Sequence, residues 1–397
     1  MDVIRNIQTF NVGRDPERLA LKYSKMRGAT FAFMRGSCHL FYDRLPMGGL
    51  FKTAPLAWVC GDLHLENFGS YKGDNRLVYF DLNDFDEAAL APVSWELLRM
   101  LTSLRIGAEG LAVKALDIQK LCQLFLQSYA ASLAQGKAYW VERETAQGLV
   151  RKVLDALGER GRAEFLDTRS QVKGKKRSLR VDGKKALPAT DEQRHAVSEF
   201  MHGFAKTQAH PDFYEVLDVA RRIAGTGSLG VERFVILVQG KGSPDGNYLL
   251  DLKQALPSSL VPHLKVAQPV WQTQAHRVVA VQRRMQAVSM AFLNPVMFDD
   301  KPCVLRGLQP SEDRVALGRP DLSLSDWTLL VQTLGQLVAW AQLRSSGRDG
   351  SAIADELMDF GASPDWRDHL LQASVDCAQQ VRADANQFNA AYDAGAL

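Results

Sequence analysis

Cysteine is scarce in this chain. Five cysteines in 397 residues (Cys38, Cys60, Cys122, Cys303, Cys377) are scattered, with no C-x-x-C pair. This argues against a zinc ribbon or a disulfide framework and fits a reducing cytosol. Long apolar runs are missing too. No stretch approaches the roughly 20 residues of a membrane-spanning helix. Residues 1–15 hold no continuous apolar segment of the signal-peptide kind. A cytoplasmic protein without a membrane partner is expected. The formal net charge of +3 is too small to call for nucleic acid. The eight histidines form no metal-site cluster. No repeat with a period of about 20–50 residues is visible. What remains is ordinary: 46% apolar and 23% charged residues, in a chain long enough for two or three domains.

The chemistry concentrates in two acidic stretches. Leu56-Ala57-Trp58-Val59-Cys60 runs into Gly61-Asp62-Leu63-His64-Leu65-Glu66-Asn67-Phe68-Gly69. Leu77-Val78-Tyr79-Phe80 runs into Asp81-Leu82-Asn83-Asp84-Phe85-Asp86-Glu87. Each apolar run reads as a short buried strand, the two joined by a turn around Lys72–Asn75. Crowded carboxylates repel each other and are costly to desolvate, and a hard cation held by Asp and Asn oxygens offsets that cost. Asp62 and Asn67 carry the D-x-x-x-x-N spacing of a kinase catalytic loop, in which the Asp accepts the substrate proton and the Asn holds a metal. Asp84 is placed to bind Mg²⁺, with Asp86 or Asp81 as a second carboxylate. The plain alternative is an acidic loop that caps strands. The Gly-Asp-Leu-His-x-x-Asn string resembles the catalytic loop of aminoglycoside and choline kinases. Asp84–Ala88, with Pro92 and Trp95-Glu96-Leu97, resembles the metal-binding segment of the same superfamily.

Asp15-Pro16-Glu17 starts a helix that runs to about Met26. Arg35, in Phe33-Met34-Arg35-Gly36, is either a phosphate or carboxylate contact or an ordinary ion-paired arginine. Residues 93–168 read as helical throughout. Residues 169–190 carry eight lysines and arginines, among them Lys175, Arg177 and Lys185. They form either an anion-meeting loop or a mobile solvated hairpin. Gly225-Thr226-Gly227-Ser228-Leu229-Gly230 precedes a strong strand, Arg233–Val238, rather than a helix. That context favours a phosphate-covering flap between antiparallel strands over a dinucleotide fingerprint. Lys253, on the following strand, then pairs the phosphates. The helix expected over Val270–Phe292 has no Glu to hold that lysine; Gln282 or Gln286 is the nearest substitute. Cys303–Leu308 is a strand leading to an adenine pocket, and Leu324–Arg344 and Pro364–Tyr392 are closing helices.

In an ordinary kinase the glycines and lysine come first. Here they follow Asp62 by more than 150 residues, which circular permutation of the chain explains. Taken whole, the sequence resembles an uncharacterised bacterial family labelled domain of unknown function 2252. Phe33–Gly36, Gly61–Gly69, Asn83–Glu87, Gly225–Gly230 and Val278-Val279-x-x-Gln282-Arg283 carry the resemblance. It implies a kinase-like fold with ATP and Mg²⁺. The expectation is an α+β protein-kinase-like bilobal fold, circularly permuted. A helical large lobe spans 1–210, an antiparallel-sheet small lobe 211–310, and returning helices 311–397. The expected activity is ATP- and Mg²⁺-dependent phosphorylation of a hydroxyl on an unknown small molecule or protein. Asp62 is the base; Asn67, Asp84 and Asp86 bind metal; Gly225, Gly227, Ser228, Gly230, Lys253, Gln282 and Arg35 serve the nucleotide. Two other readings stand beside it: a nucleotide-binding regulatory protein without transfer activity, and a metal-dependent phosphoesterase.

Overall fold

The acidic stretches are laid out by four short strands in the computed structural model, which describes residues 2–174, 176–315, 317–318 and 322–397. They are β1 (Leu56–Val59), β2 (Phe68–Lys72), β3 (Val78–Leu82) and β4 (Ala89–Pro92). β1 pairs antiparallel with β4, Trp58 opposite Leu90. The β2–β3 hairpin lies between them in sequence, with Ser70 opposite Phe80. The turn expected at Lys72–Asn75 therefore joins β3 to β2, a strand hidden from the sequence by Gly69 and Ser70, which are weak strand formers. A two-residue strand, β5 (Val141–Glu142), extends the hairpin by pairing with Tyr79 and Phe80. The helix expected over 138–147 is absent there; a helix begins instead at Gly148, whose φ of +55° disfavours other residues.

Around these strands lies a helical body. The helix Val93–Gly110 is buried along most of its length, Trp95, Leu97, Leu98 and Leu101 included, as its apolar pattern requires. Ala115–Ala134 crosses Leu324–Ser345 closely: a β-carbon on Gly335 would lie 2.6 Å from the Phe125 carbonyl oxygen. Trp366–Asp393 closes the body against Val93–Gly110.

The second layer is a six-stranded antiparallel sheet. A basic hairpin, β6 (Ser170–Lys173) and β7 (Lys176–Leu179), precedes it. The sheet holds β8 (Ala186–Pro188), β9 (Val216–Arg222), β10 (Arg233–Val238), β11 (Tyr248–Gln254), β12 (Asn294–Phe298) and β13 (Lys301–Gly307), in the order β12-β13-β11-β10-β9-β8. The helix Asp191–Ala205 packs Val197 and Met201 on Val219, Phe234 and Ile236 of this sheet. Residues 186–205 thus belong to the sheet's own core, although the sequence places them with the large helical part. The basic segment forms a hairpin with Lys173, Lys176, Lys184 and Lys185 exposed, in keeping with the solvated reading, and one arginine anchors it. Buried Arg177 donates to Asp167 at 2.7 Å and to the Pro244 carbonyl at 2.9 Å. Lys175 lies outside the described residues. The helix expected over 270–292 is shorter, Gln274–Met285, and it joins the large core. The molecule is a mixed α+β protein with antiparallel sheets. Among the described residues, no helix is long and apolar enough to cross a membrane.

Candidate functional site

The first acidic loop is pinned from three sides. Gly61 has φ +85°, and a β-carbon there would sit 2.1 Å from the Glu87 carbonyl oxygen, so the two acidic loops touch backbone to backbone. Tyr42 donates its hydroxyl to the Gly61 carbonyl. Buried Glu96 accepts the Cys60 amide at 2.6 Å and the Gln342 side-chain amide at 3.0 Å. Asp62 leaves this turn with Oδ1 held by Arg99, whose Nη2 and Nε donate at 2.6 and 3.1 Å. Arg99 is fully buried and also donates to the Met34 carbonyl at 2.8 Å. Oδ2 of Asp62 has no protein partner among the described residues. His64 turns back on its own loop, accepting the Glu66 amide at 3.1 Å, and burial holds its ring well below the ordinary histidine range. Arg35 Nε lies 3.2 Å from its Nε2, so both ring nitrogens are engaged within the protein.

Asn67 joins the two loops. Its Nδ2 donates to the carbonyls of Asp62 at 3.1 Å and Asp84 at 3.2 Å. This leaves Oδ1 of Asn67 buried without a partner, and Oδ1 of Asp84 and Oδ1 of Asn83 share that condition. Buried oxygens without donors are costly. Burial alone raises the Asp84 carboxyl, but Lys253, Arg306, Arg314 and Arg233 outweigh it, so the group sits below its ordinary value and is ionised. One carboxylate and two amide oxygens suit a hard cation of the Mg²⁺ type, which takes one or two protein carboxylates and keeps other positions for water and phosphate. Among the described residues, no three His, Cys, Asp or Glu side chains form a metal-holding group.

Lys253 reaches this place from the other sheet. It is buried and forms an ion pair with Asp86, two residues past Asp84. Asp86, expected on the metal, is thus engaged by the lysine. Gln282 does not hold Lys253: its amide donates to Gln286 at 3.1 Å, and Gln286 donates to the Leu82 carbonyl at 2.7 Å, bracing the strand that leads to Asp84. The other carboxylate considered, Asp81, is turned to Arg344 at 2.8 Å. Arg35 forms an ion pair with Glu66 while lining the same cavity as Asp62.

The glycine segment links the neighbouring antiparallel strands β9 and β10. Gly225 and Gly230 take φ of +70° and +86°. Ser228 Oγ donates to the Ala224 carbonyl at 3.3 Å. Arg14 clamps the segment from outside, donating to the carbonyls of Gly227 at 2.7 Å and Leu229 at 2.9 Å. Buried Lys22 adds a bond to Gly227 at 3.2 Å. With the carbonyls taken, the amides of Thr226, Gly227 and Ser228 have no protein acceptor among the described residues.

Two cavities meet at this point. One, of about 380 Å³, runs between the second sheet and the basic hairpin and is strongly cationic. Within its wall Arg222, Arg233 and Arg306 share one buried carboxylate, Asp251, at 2.7, 2.6 and 3.5 Å. Burial would raise Asp251; the three guanidiniums hold it well below the usual carboxylate range. Arg314, Lys25, Arg180 and Lys184 add further positive charge. Burial, with Arg35 nearby, pushes Arg314 down to about 10 against the pull of Asp84 and Glu66. The other cavity, of about 370 Å³, holds Asp62, Arg35, Lys253, Gly227 and Ser228. Asp84 and Gly225 line both.

Arg99, Glu96, Asp251 and Arg14 were not legible as site residues, because lone charged residues in a sequence read as surface. Glu96 alone had a signal, its place in Trp95-Glu96-Leu97 next to the acidic stretch. Sheet, body and paired cavities define a mixed α+β protein with one composite anionic and cationic site. Over residues 14–391 the chain matches, and it belongs to, the family described as "Uncharacterized protein conserved in bacteria (DUF2252)". Neither the curated proteins nor the solved structures yielded a match.

Proposed function

We propose that the protein is an ATP- and Mg²⁺-dependent phosphotransferase with a circularly permuted, kinase-like bilobal arrangement, acting on a hydroxyl of a small molecule or protein. One observation carries this reading: Asp84 and Gly225 form the common wall between a cationic cavity and the cavity of Asp62. A nucleotide polyphosphate suits the first, where nine lysines and arginines outnumber the two lining carboxylates, Asp84 and Asp182. An acceptor hydroxyl suits the second, beside the free Oδ2 of Asp62. Asp62, held by Arg99, orients the acceptor and takes its proton, a role worth about 10²–10⁴-fold. The glycine amides and Lys253, which line the second cavity, would meet the terminal phosphate where it crosses the shared wall of Asp84 and Gly225. Asp84, Asn67 and Asn83 would hold Mg²⁺. When bound, the metal neutralises charge on the phosphates. Positioning and electrostatics supply most of the remaining acceleration.

A second reading, a nucleotide-binding regulatory protein, draws on the ion pair between Lys253 and Asp86, which occupies both a phosphate lysine and a candidate metal carboxylate. The test is a thermal-shift titration with ATP, with and without Mg²⁺, on wild type, Lys253→Ala and Asp84→Asn. A ligand at 100 times its Kd stabilises by about 2.7 kcal/mol. A Mg²⁺-dependent shift lost in both variants supports one composite site; no shift in wild type overturns the reading. ATP binding that survives Asp62→Asn, with no turnover in wild type on any acceptor, favours the regulatory reading.

A further inference from the structure

We propose that Arg314 is the guanidinium that grips the terminal phosphate of a nucleoside triphosphate, and that it sets a preference for triphosphate over diphosphate. This rests on the phosphotransferase reading and assigns a substrate contact within it. Nine lysines and arginines line the cationic cavity, and most of them are spent. Three share Asp251, two pair with Glu312, and Arg180 donates to the Ser170 carbonyl. Lys25 and Lys184 are exposed to solvent. Arg314 is what remains: a partly buried cation whose side chain has no hydrogen-bond or ion-pair partner among the described residues. None of its guanidinium nitrogens is shut away from the cavity it lines.

The fold fixes this side chain beside Asp84. Arg314 bridges antiparallel to Gly69 of β2, two residues past Asn67. Ser70 Oγ donates to the Asp313 carbonyl at 3.3 Å, and the Asp313 carboxylate is tied to Arg160 at 2.7 Å. A β-carbon on Gly69 would lie 2.5 Å from Asn83 Nδ2 and 3.6 Å from Arg314 Cγ, so glycine lets the arginine stem and the second acidic loop close on each other. Arg314 and Asp84 attract each other, yet they form no ion pair, and Asp84 Oδ1 is left without a partner. That leaves Asp84 for a cation and Arg314 for phosphate oxygens, which a guanidinium fork meets in pairs. Asp84 is part of the wall shared with the Asp62 cavity, so the phosphate at that wall is the one transferred. In that step the acceptor oxygen bonds to the terminal phosphorus. The bond from that phosphorus to the bridging oxygen breaks, and the nucleoside diphosphate leaves with the electron pair. The acceptor proton passes to Asp62. Arg314 gives up no proton; it donates to the non-bridging oxygens, over which the charge is spread. A diphosphate lacks the group that Arg314 grips.

Titration calorimetry with Mg²⁺-ATP and Mg²⁺-ADP on wild type, Arg314→Lys and Arg314→Gln tests the assignment. Wild type is expected to bind ATP at least about tenfold tighter than ADP. Arg314→Gln should lose about tenfold in ATP affinity with ADP affinity unchanged, and Arg314→Lys, which keeps the charge without the fork, should fall between. Equal loss for both nucleotides, or an ATP preference intact in Arg314→Gln, overturns the proposal and leaves the phosphotransferase reading standing. So does a wild type that binds both nucleotides equally. No nucleotide binding by wild type overturns both. A measurement on wild type alone covers variants that fail to fold. Phenylglyoxal modification at Arg314, mapped by mass spectrometry, is expected to be blocked by Mg²⁺-ATP and not by Mg²⁺-ADP. Equal modification with the two nucleotides overturns the proposal.

Discussion

Asp251 illustrates how much one carboxylate carries here. It is fully buried between Arg222, Arg233 and Arg306, and those three cations would face one another without it. Removing one partner of a buried ion pair costs about 3–5 kcal/mol. Asp251→Asn is accordingly expected to lower unfolding free energy by about that amount in urea at neutral pH. The folded-state pKa of Asp251 is depressed, so its contribution is present above its ordinary value near 3.8 and is lost as pH falls through the folded value. The gap between wild type and Asp251→Asn should therefore narrow as pH falls below 3.8. A gap that widens on acidification would contradict the assignment. In sequence, Asp251 is simply a strand residue two places before Lys253; only the three arginines around it give it this weight.

The helix Gln274–Met285 governs the second acidic loop. Arg277 donates to the carbonyls of Ala88 at 2.5 Å, Asp86 at 2.8 Å and Leu256 at 2.9 Å. It ties the loop of Asp84 and Asp86 to the stretch that follows the Lys253 strand. Arg277→Met should release both. Hydrogen exchange is expected to quicken by about tenfold or more at the amides of residues 86–89 while those of β10 stay protected. Mg²⁺-dependent nucleotide affinity is expected to fall by about tenfold, read by titration. Unchanged exchange at 86–89 would show that the loop is held by other means. The helix itself was legible from its apolar period, and its end was not. The helix stops at Gln286, where the next backbone amide, that of Ala287, donates to Asp81 at 3.1 Å instead of to a helical carbonyl, a contact 206 residues away in sequence. β2, β5 and β12 were hidden for a related reason, since their pairing partners, rather than their own residues, make them strands.

Both ends of the chain lie together. Gln8 donates to the Ala396 carbonyl at 3.1 Å, and Arg27 pairs with Asp393 through bonds of 2.8 and 2.9 Å. Ends this close tolerate joining, and exposed turns tolerate opening. Residues 207–210, largely exposed, lie between the helix Asp191–Ala205 and β9. A variant with its termini joined by a short Gly/Ser linker and reopened at Ala209 would place the glycine segment and Lys253 ahead of Asp62. It is expected to fold, to keep a cooperative melt within a few degrees of wild type, and to keep any nucleotide-dependent thermal shift. Loss of cooperative folding would count against permutation as the origin of this order.

The local patterns were readable in the sequence alone. The five-residue step from Asp62 to Asn67 and the apolar runs ahead of both acidic stretches are short-range patterns. So are the Asp15 cap, whose carboxylate accepts the Arg18 amide at 2.9 Å, and the glycines placed ahead of a strand. Such features depend on neighbours within a turn or a strand, so spacing is enough to reveal them. Tertiary structure decided everything that depends on where distant charges come to rest. It set Lys253 on Asp86 rather than on Gln282, folded the basic segment against the sheet, gathered three arginines on Asp251, and made Asp84 a wall of two cavities. Electrostatic partners act through space, and burial multiplies their strength, while a sequence orders residues only along the chain.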